Sequence, residues 1–417
     1  MNRKYKTFYP GMYTDKEKQL LDAAQAYLDS MPVGSVQYEH EVTEEQAKEY
    51  ARLWDPFNPL FSDPEYAVRT KWGRIPCMTF APYPMFGTYF TALDEFTGEL
   101  GDLFYYGNDG GDMYFYKPVF TGDRLTSKRG LHTYTDDTAP EGETYRRLTF
   151  KGEDKIFNQD GELVAAGYGQ GRNAVRVFED DGPVPSDYEQ TFEWVNYIPP
   201  VHITTDEEWV QVKAMWKNEY IRGADTLYWD DVNIGDMPVQ VCSGPISNMD
   251  LIRQHGASLI SMPSIREMFG TPMEGMLFKD SFGQYVNFVA RHYTDCNMPG
   301  ARAVFYNFTA RNYIVRMISN WMSDDGFISH IGWRFQNLFE CMAGNEPGKE
   351  DFEKVPEMKG KYVNRHGMEG DTAICKGYVT DKYERDGKYY AGLVCWAETF
   401  DGEIIQSVTA DVELPKR

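Results

Sequence analysis

The sequence predicts an α+β fold built twice: two tandem units, each an antiparallel sheet wrapped around a helix. Three observations carry this. A helix-capping pattern occurs at Thr43-Glu44-Glu45-Gln46 and again at Ser247-Asn248-Met249-Asp250. A Gly-Asp pair occurs at Gly122-Asp123 and again at Gly370-Asp371. Each pair leads into alternating apolar and polar runs joined by Asp-Gly turns, the strongest short-range signal for a hairpin. Repetition at this scale describes the whole chain rather than a local motif.

Taken in order, residues 16–30 have helical periodicity and form an N-terminal helical extension, residues 1–32. The first unit, residues 33–176, opens with the extended segment GSVQYEHEV. The capping box at Thr43 then starts a helix, because its hydroxyl and the Gln46 side chain satisfy each other's free backbone N–H groups. The loop WDPFNPLFSDPEYA follows at residues 54–67, and within it Asp63-Pro64 has the form of a second helix start with Pro at the first position. Gly122-Asp123 introduces strands that turn at Asn158-Gln159-Asp160-Gly161. The run GYGQGR at residues 167–172 opens no helix and reads as a strand end. The Pro- and acid-rich stretch FEDDGPVPSD lies in a linker, residues 177–215. The second unit, residues 216–417, repeats the layout with an added Met-, Phe- and Gly-rich segment at 266–305. It ends in a meander with turns at Asp386-Gly387 and Asp401-Gly402.

The chain has 417 residues, 42% of them hydrophobic and 15% aromatic, enough for a large packed interior. Its net charge of −22 lacks the basic footprint that nucleic acid or an anionic membrane needs. No apolar run reaches the length of a membrane span, and the N-terminus has no signal-peptide core. The six Cys are scattered without CxxC or metal-like spacing, so they read as free thiols of a cytoplasmic protein that holds no metal. Nucleotide-binding glycine motifs and nucleophile elbows are absent.

Several segments resemble the MaoC-like dehydratase/hydratase family, whose members have a double hot-dog fold. They are NPLFSDPEYAVRTKWGRIP at residues 58–76, YKPVFTGDRL at 116–125 and RMISNWMSDDGFISHIGWRFQN at 316–337. The resemblance covers nearly the whole chain. It implies acyl-CoA chemistry: water is added to, or removed from, the α,β-position of the thioester by an Asp and a His from a D-x-N-P-x-H loop. It also implies that coenzyme A enters only as part of the substrate, with no other cofactor, and that a homodimer is an expected assembly.

Set in that register, Asn58-Pro59 matches the family Asn-Pro, but the family Asp falls on Pro56 and the family His on Phe61. Asp55 stands one place early. Aligning the caps Thr43 and Ser247 sets Leu259, Met262-Pro263 and Ile265 against Asp55, Asn58-Pro59 and Phe61, so the second copy keeps only the Pro. Asp55 and Asn58 are therefore the catalytic candidates, with helix capping as the competing role for both. Arg69, Lys71 and Arg74 are candidates for the coenzyme A phosphates. Phe61, Met262, Tyr306 and Arg311 are candidates for the wall of a pocket suited to a bulky acyl group. The expected activity is that of a divergent hydro-lyase. The alternatives are a degenerate acyl-CoA-binding protein, acting alone or as a partner subunit, and a hot-dog thioesterase.

Overall fold

The computed structural model describes residues 4–13, 15–30, 32–83, 104–144, 146–175, 179–180, 202–247, 250, 277–279, 285–287, 309–335, 346–365, 367–368 and 370–417. The strands of the first unit are β1 (Val36–Glu41), β2 (Phe104–Phe115), β3 (Arg124–Asp136), β4 (Arg146–Phe157) and β5 (Leu163–Val175). A short hairpin, β7 (Leu277–Lys279) with β8 (Tyr285–Asn287), lies in the added segment of the second unit. The second unit's other strands are β6 (Val241–Ser243), β9 (Phe327–Arg334), β10 (Ala373–Arg385), β11 (Lys388–Glu398) and β12 (Ile404–Leu414). Helices are α1 (Asp15–Ser30), α2 (Glu44–Trp54), α3 (Pro64–Ala67), α4 (Asp206–Asn218), α5 (Thr309–Met322) and α6 (Lys349–Phe352).

Apart from β7 and β8, all strands join one ten-stranded antiparallel sheet in the order β1-β3-β4-β5-β2-β9-β12-β11-β10-β6. From either edge inward the same roles recur: a short first strand, the three strands of the meander, and an inner strand that meets its counterpart. The two units thus share a continuous sheet through β2 and β9, where Gly111 faces Trp333 and Met113 faces Ile331.

The repeat extends to single hydrogen bonds. Gly122 N–H donates to Val42 O and Val42 N–H to Asp123 O; Gly370 N–H donates to Ile246 O and Ile246 N–H to Asp371 O. Both glycines have positive φ, 86° and 92°, which a side chain would strain. The Asp386-Gly387 turn has positive φ at both residues, matching the twist of the strands that it joins.

Every residue of α5 is buried, and the helix packs on β6 and β9 to β12, so the second unit's sheet wraps around it. One apolar cluster unites the units: Trp54, Phe61 and Phe115 from the first, with Ile314, Ile331 and Trp333 from the second. Two departures from the sequence reading concern local structure. Helix α4 begins inside the stretch 177–215 that reads as a linker; its Thr205–Glu208 capping box starts it, Val212 is fully buried, and Trp216 Nε1 donates to Cys242 O at 3.1 Å. The glycines at 167–171 lie inside β5, not at its end. Gly169 pairs with Gly111 of β2, where an added Cβ would come within 2.7 Å of the Trp333 ring. The smooth strand surface accepts an indole from the other unit.

The N-terminal segment packs along the β3–β4 hairpin. Phe8 bridges to Glu143, and the Tyr13 hydroxyl donates to Asp136 at 2.9 Å. Among the described residues no helix is long and apolar enough to cross a membrane.

Candidate functional site

The capping box at Thr43 forms as the sequence predicts and fixes where α2 begins. Ala47, Tyr50, Ala51 and Trp54 then recur on one face and are buried, which turns the helix end inward. Asp55 is the residue after that end. Its N–H donates to Ala51 O at 2.8 Å, so its backbone closes the helix while its side chain points into the protein. The side chain is 0% exposed, and neither carboxyl oxygen accepts a well-formed hydrogen bond among the described residues.

What faces Asp55 comes from the second unit. Arg316, on α5, places Nε 3.9 Å from Asp55 Oδ1. The same guanidinium is held by Glu219, the residue after α4: Nε donates to Oε1 at 2.7 Å, and a second nitrogen donates to Oε2. Asn320, one turn along α5, donates its amide to Glu219 Oε1 at 2.9 Å. Burial pushes the Asp55 pKa up. Arg316 and the nearby Asn58 amide pull it part-way back, Glu219 opposes them, and the result is about 7. Asp55 therefore changes charge near neutral pH, as a group that gives and takes protons must.

Asn58 is buried beside it, but its side-chain oxygen accepts from Leu60 N–H at 3.1 Å and caps the short 3-10 turn Pro59–Phe61. Phe61 is 5% exposed, in the position where the family places His. With Cys77, Tyr83, Phe115 and Phe327 it lines a cavity of about 50 Å3, room for a few water molecules rather than an acyl chain. Burial pushes the Cys77 thiol up to about 12, so it is an inert wall.

The three candidate phosphate ligands are all exposed on the loop after α3 and make no ion pair with a described residue. Arg69 lies 5.9 Å from the Tyr66 ring centre and Arg74 lies 4.0 Å from that of Phe120. Lys71 sits 4.4 Å over Trp72 and donates to Asp325 O at 2.6 Å. Tyr66 and Trp72 bond Asp324 of the same turn, so this loop also fastens the first unit to the α5–β9 turn. Arg311 is buried with its guanidinium 3.7 Å over Phe80 and 4.9 Å over Trp333, as part of the packed seam. Met262 and Tyr306 lie outside the described residues, as do His255, His292 and the degenerate loop 258–265. His330 is on the other face of β9, between Asp112 at 3.1 Å and Asp411 at 3.3 Å, where it crosslinks strands of both units. Among the described residues no group of three metal-ligating side chains converges.

Sequence reasoning missed Glu219. It follows α4 at the edge of the supposed linker, and nothing local marks it as the partner of an arginine far along the chain.

A scan against protein-family models and a search of curated proteins return no match. Solved structures do match. A MaoC-like dehydratase aligns over 93% of this chain and 99% of its own, with 14% identity and a TM-score of 0.51. The chain shares the fold of that protein, a double hot dog. Two further solved structures align less closely. A MaoC domain protein dehydratase from Chloroflexus aurantiacus J-10-fl covers 94% of this chain and 97% of its own, at 14% identity and TM-score 0.47. A conserved hypothetical protein from Mycobacterium tuberculosis, described as having a double hot-dog fold, covers 93% and 97%, at 11% identity and TM-score 0.45. In this double hot dog the Asp55 cluster sits at the seam, with α2 of one unit contributing the carboxyl and α5 of the other the cation.

Proposed function

We propose that this double hot dog is a hydro-lyase that adds or removes water at the α,β-position of a bulky acyl-CoA thioester, with Asp55 as its proton-transfer group. The observation that supports the reading is the Asp55 carboxyl, wholly buried at the seam, with neither oxygen in a well-formed hydrogen bond to a described residue and a pKa pushed up by burial to about 7.

One carboxyl suffices for the elimination. Its O–H gives a proton to the 3-hydroxyl as the C3–O bond breaks, and its other oxygen takes the C2 proton as the C2–C3 double bond forms. Water leaves, and the carboxyl ends as protonated as it began. The thioester carbonyl lowers the cost of removing the C2 proton, and hydration is the reverse. Coenzyme A is the handle of the substrate rather than a separate cofactor. Arg69, Lys71 and Arg74, surface cations on a chain of net charge −22, are the proposed contacts for its phosphates. Phe61 and Arg311, with Met262 and Tyr306, are the proposed wall of the acyl pocket, and the cavity of about 50 Å3 at Phe61 would have to widen to admit a bulky acyl group. A homodimer is the proposed assembly.

Two observations favour a second reading, an acyl-CoA-binding protein without turnover: Phe61 stands where the motif places His, and Asn58 spends its carbonyl oxygen on a cap. A panel of enoyl- and 3-hydroxyacyl-CoA esters separates the two, followed by the absorbance of the conjugated thioester. The hydro-lyase reading expects turnover that is lost in Asp55→Asn. Tight binding without turnover supports the second reading, and full activity in Asp55→Asn refutes the role given to Asp55.

A further inference from the structure

Among the described residues no imidazole lies beside Asp55. Asp55 has instead a guanidinium that is already engaged: Arg316 lies 3.9 Å from Asp55 but makes its two close bonds to Glu219. All three side chains are buried or nearly so, with Asp55 at 0% and Arg316 and Glu219 each at 9% exposure. While Asp55 is protonated the cluster is neutral, one cation against one anion. When Asp55 loses its proton the cluster carries an uncompensated buried negative charge, and Arg316 must serve two carboxylates. Asn320 steadies Glu219 from the next turn of α5. No other charged group is found facing Asp55 among the described residues.

We propose that Glu219 is a positioning residue: by engaging Arg316, it sets how tightly Asp55 holds its proton. This rests on the reading of Asp55 as the proton-transfer group. Glu219 acts through Arg316, and neither needs to touch the substrate. The arrangement spans the two units, because Asp55 ends a helix of the first while Arg316 and Glu219 belong to the second. Proton affinity at the site therefore depends on how the units are seated against each other.

The test uses the full chain and reads Asp55 directly. The carboxylic-acid carbonyl stretch of Asp55 is isolated by infrared difference between wild type and Asp55→Asn, then followed with pH. In Glu219→Gln, Arg316 is released to Asp55, and the midpoint should fall by at least about one unit, a tenfold change in proton affinity. In Arg316→Gln the cation is gone, and the midpoint should rise. Glu219→Asp keeps the charge and should stay closer to wild type than Glu219→Gln does. A midpoint that is unchanged or that rises in Glu219→Gln overturns the proposal. If Glu219→Gln does not fold, Glu219→Ala is read in the same way: a lower midpoint supports the proposal, and an unchanged or higher midpoint overturns it.

The pH–rate profile adds the functional half. Whichever form of Asp55 is active, the limb that it governs should move to lower pH in Glu219→Gln. A shifted infrared midpoint without any turnover would defeat the hydro-lyase reading and leave the Glu219 assignment standing. Turnover with an unshifted midpoint would do the opposite.

Discussion

Replacing Asp55 by Asn should change how stability depends on pH. The carboxyl binds its proton more tightly folded than unfolded, because burial disfavours the charged form. The wild-type chain is therefore favoured at low pH and loses that advantage as pH rises from the unfolded value toward the folded one. The interval from 3.8 to about 7 is roughly 3 units, and at about 1.4 kcal/mol per unit it sets a ceiling near 4 kcal/mol. About 2 kcal/mol of this falls between pH 5 and pH 7. Asparagine has nearly the same shape and no charge to titrate, so the variant lacks this dependence. Whatever the buried amide costs for want of a partner is the same at every pH. Urea unfolding of both proteins at about pH 5 and about pH 8, compared as the variant-minus-wild-type difference, isolates the effect. The difference should move in favour of Asp55→Asn by about 2 to 3 kcal/mol at the higher pH. A difference that stays constant, or that moves in favour of wild type, would mean that Asp55 is ionised in the folded protein and would refute the argument.

Other predictions concern the supports of the site. Asn58→Ala should lower stability by about 1 kcal/mol through the lost cap, and the substitution should show in urea midpoints whether or not the protein is active. Gly122→Ala and Gly370→Ala should each destabilise by about 1 to 2 kcal/mol, because both hold positive φ in equivalent places; a large loss at one and none at the other would argue against the repeat as a structural unit. His330→Gln probes the outer face of the sheet. Burial alone lowers the His330 pKa, but Asp112 and Asp411 more than offset it, so the net shift is upward. Its stabilisation is present below the ordinary histidine value and fades as pH rises through the folded one. The variant's deficit in Tm should accordingly be larger at about pH 6 than at about pH 9, and the reverse order would contradict the shift.

The repeat was legible because its signals are local and obligatory. Caps must satisfy free N–H groups, and turns need residues that tolerate positive φ, so Thr43, Ser247, Gly122, Gly370 and Asp386-Gly387 announce themselves. The inner strands were harder. Gly111 of β2 weakens the alternating pattern, and the cause is Trp333, which arrives from the other unit and leaves no room for a side chain there. The site was legible by half. Asp55 and Asn58 could be found from the loop, but the groups that set the chemistry of Asp55 come from far along the chain. Arg316 stands out as a cation on an apolar helix. Glu219, 97 positions away from it, carries no local signal at all.

The most direct test of the central claim is deuterium incorporation at C2 during hydration of an enoyl-CoA ester in heavy water. The wild-type protein should place one solvent-derived deuterium at C2 of the 3-hydroxyacyl product, while Asp55→Asn, folded and still binding the ester, should place none above background. Equal incorporation by the variant, or tight binding by wild type with no incorporation, would contradict the account.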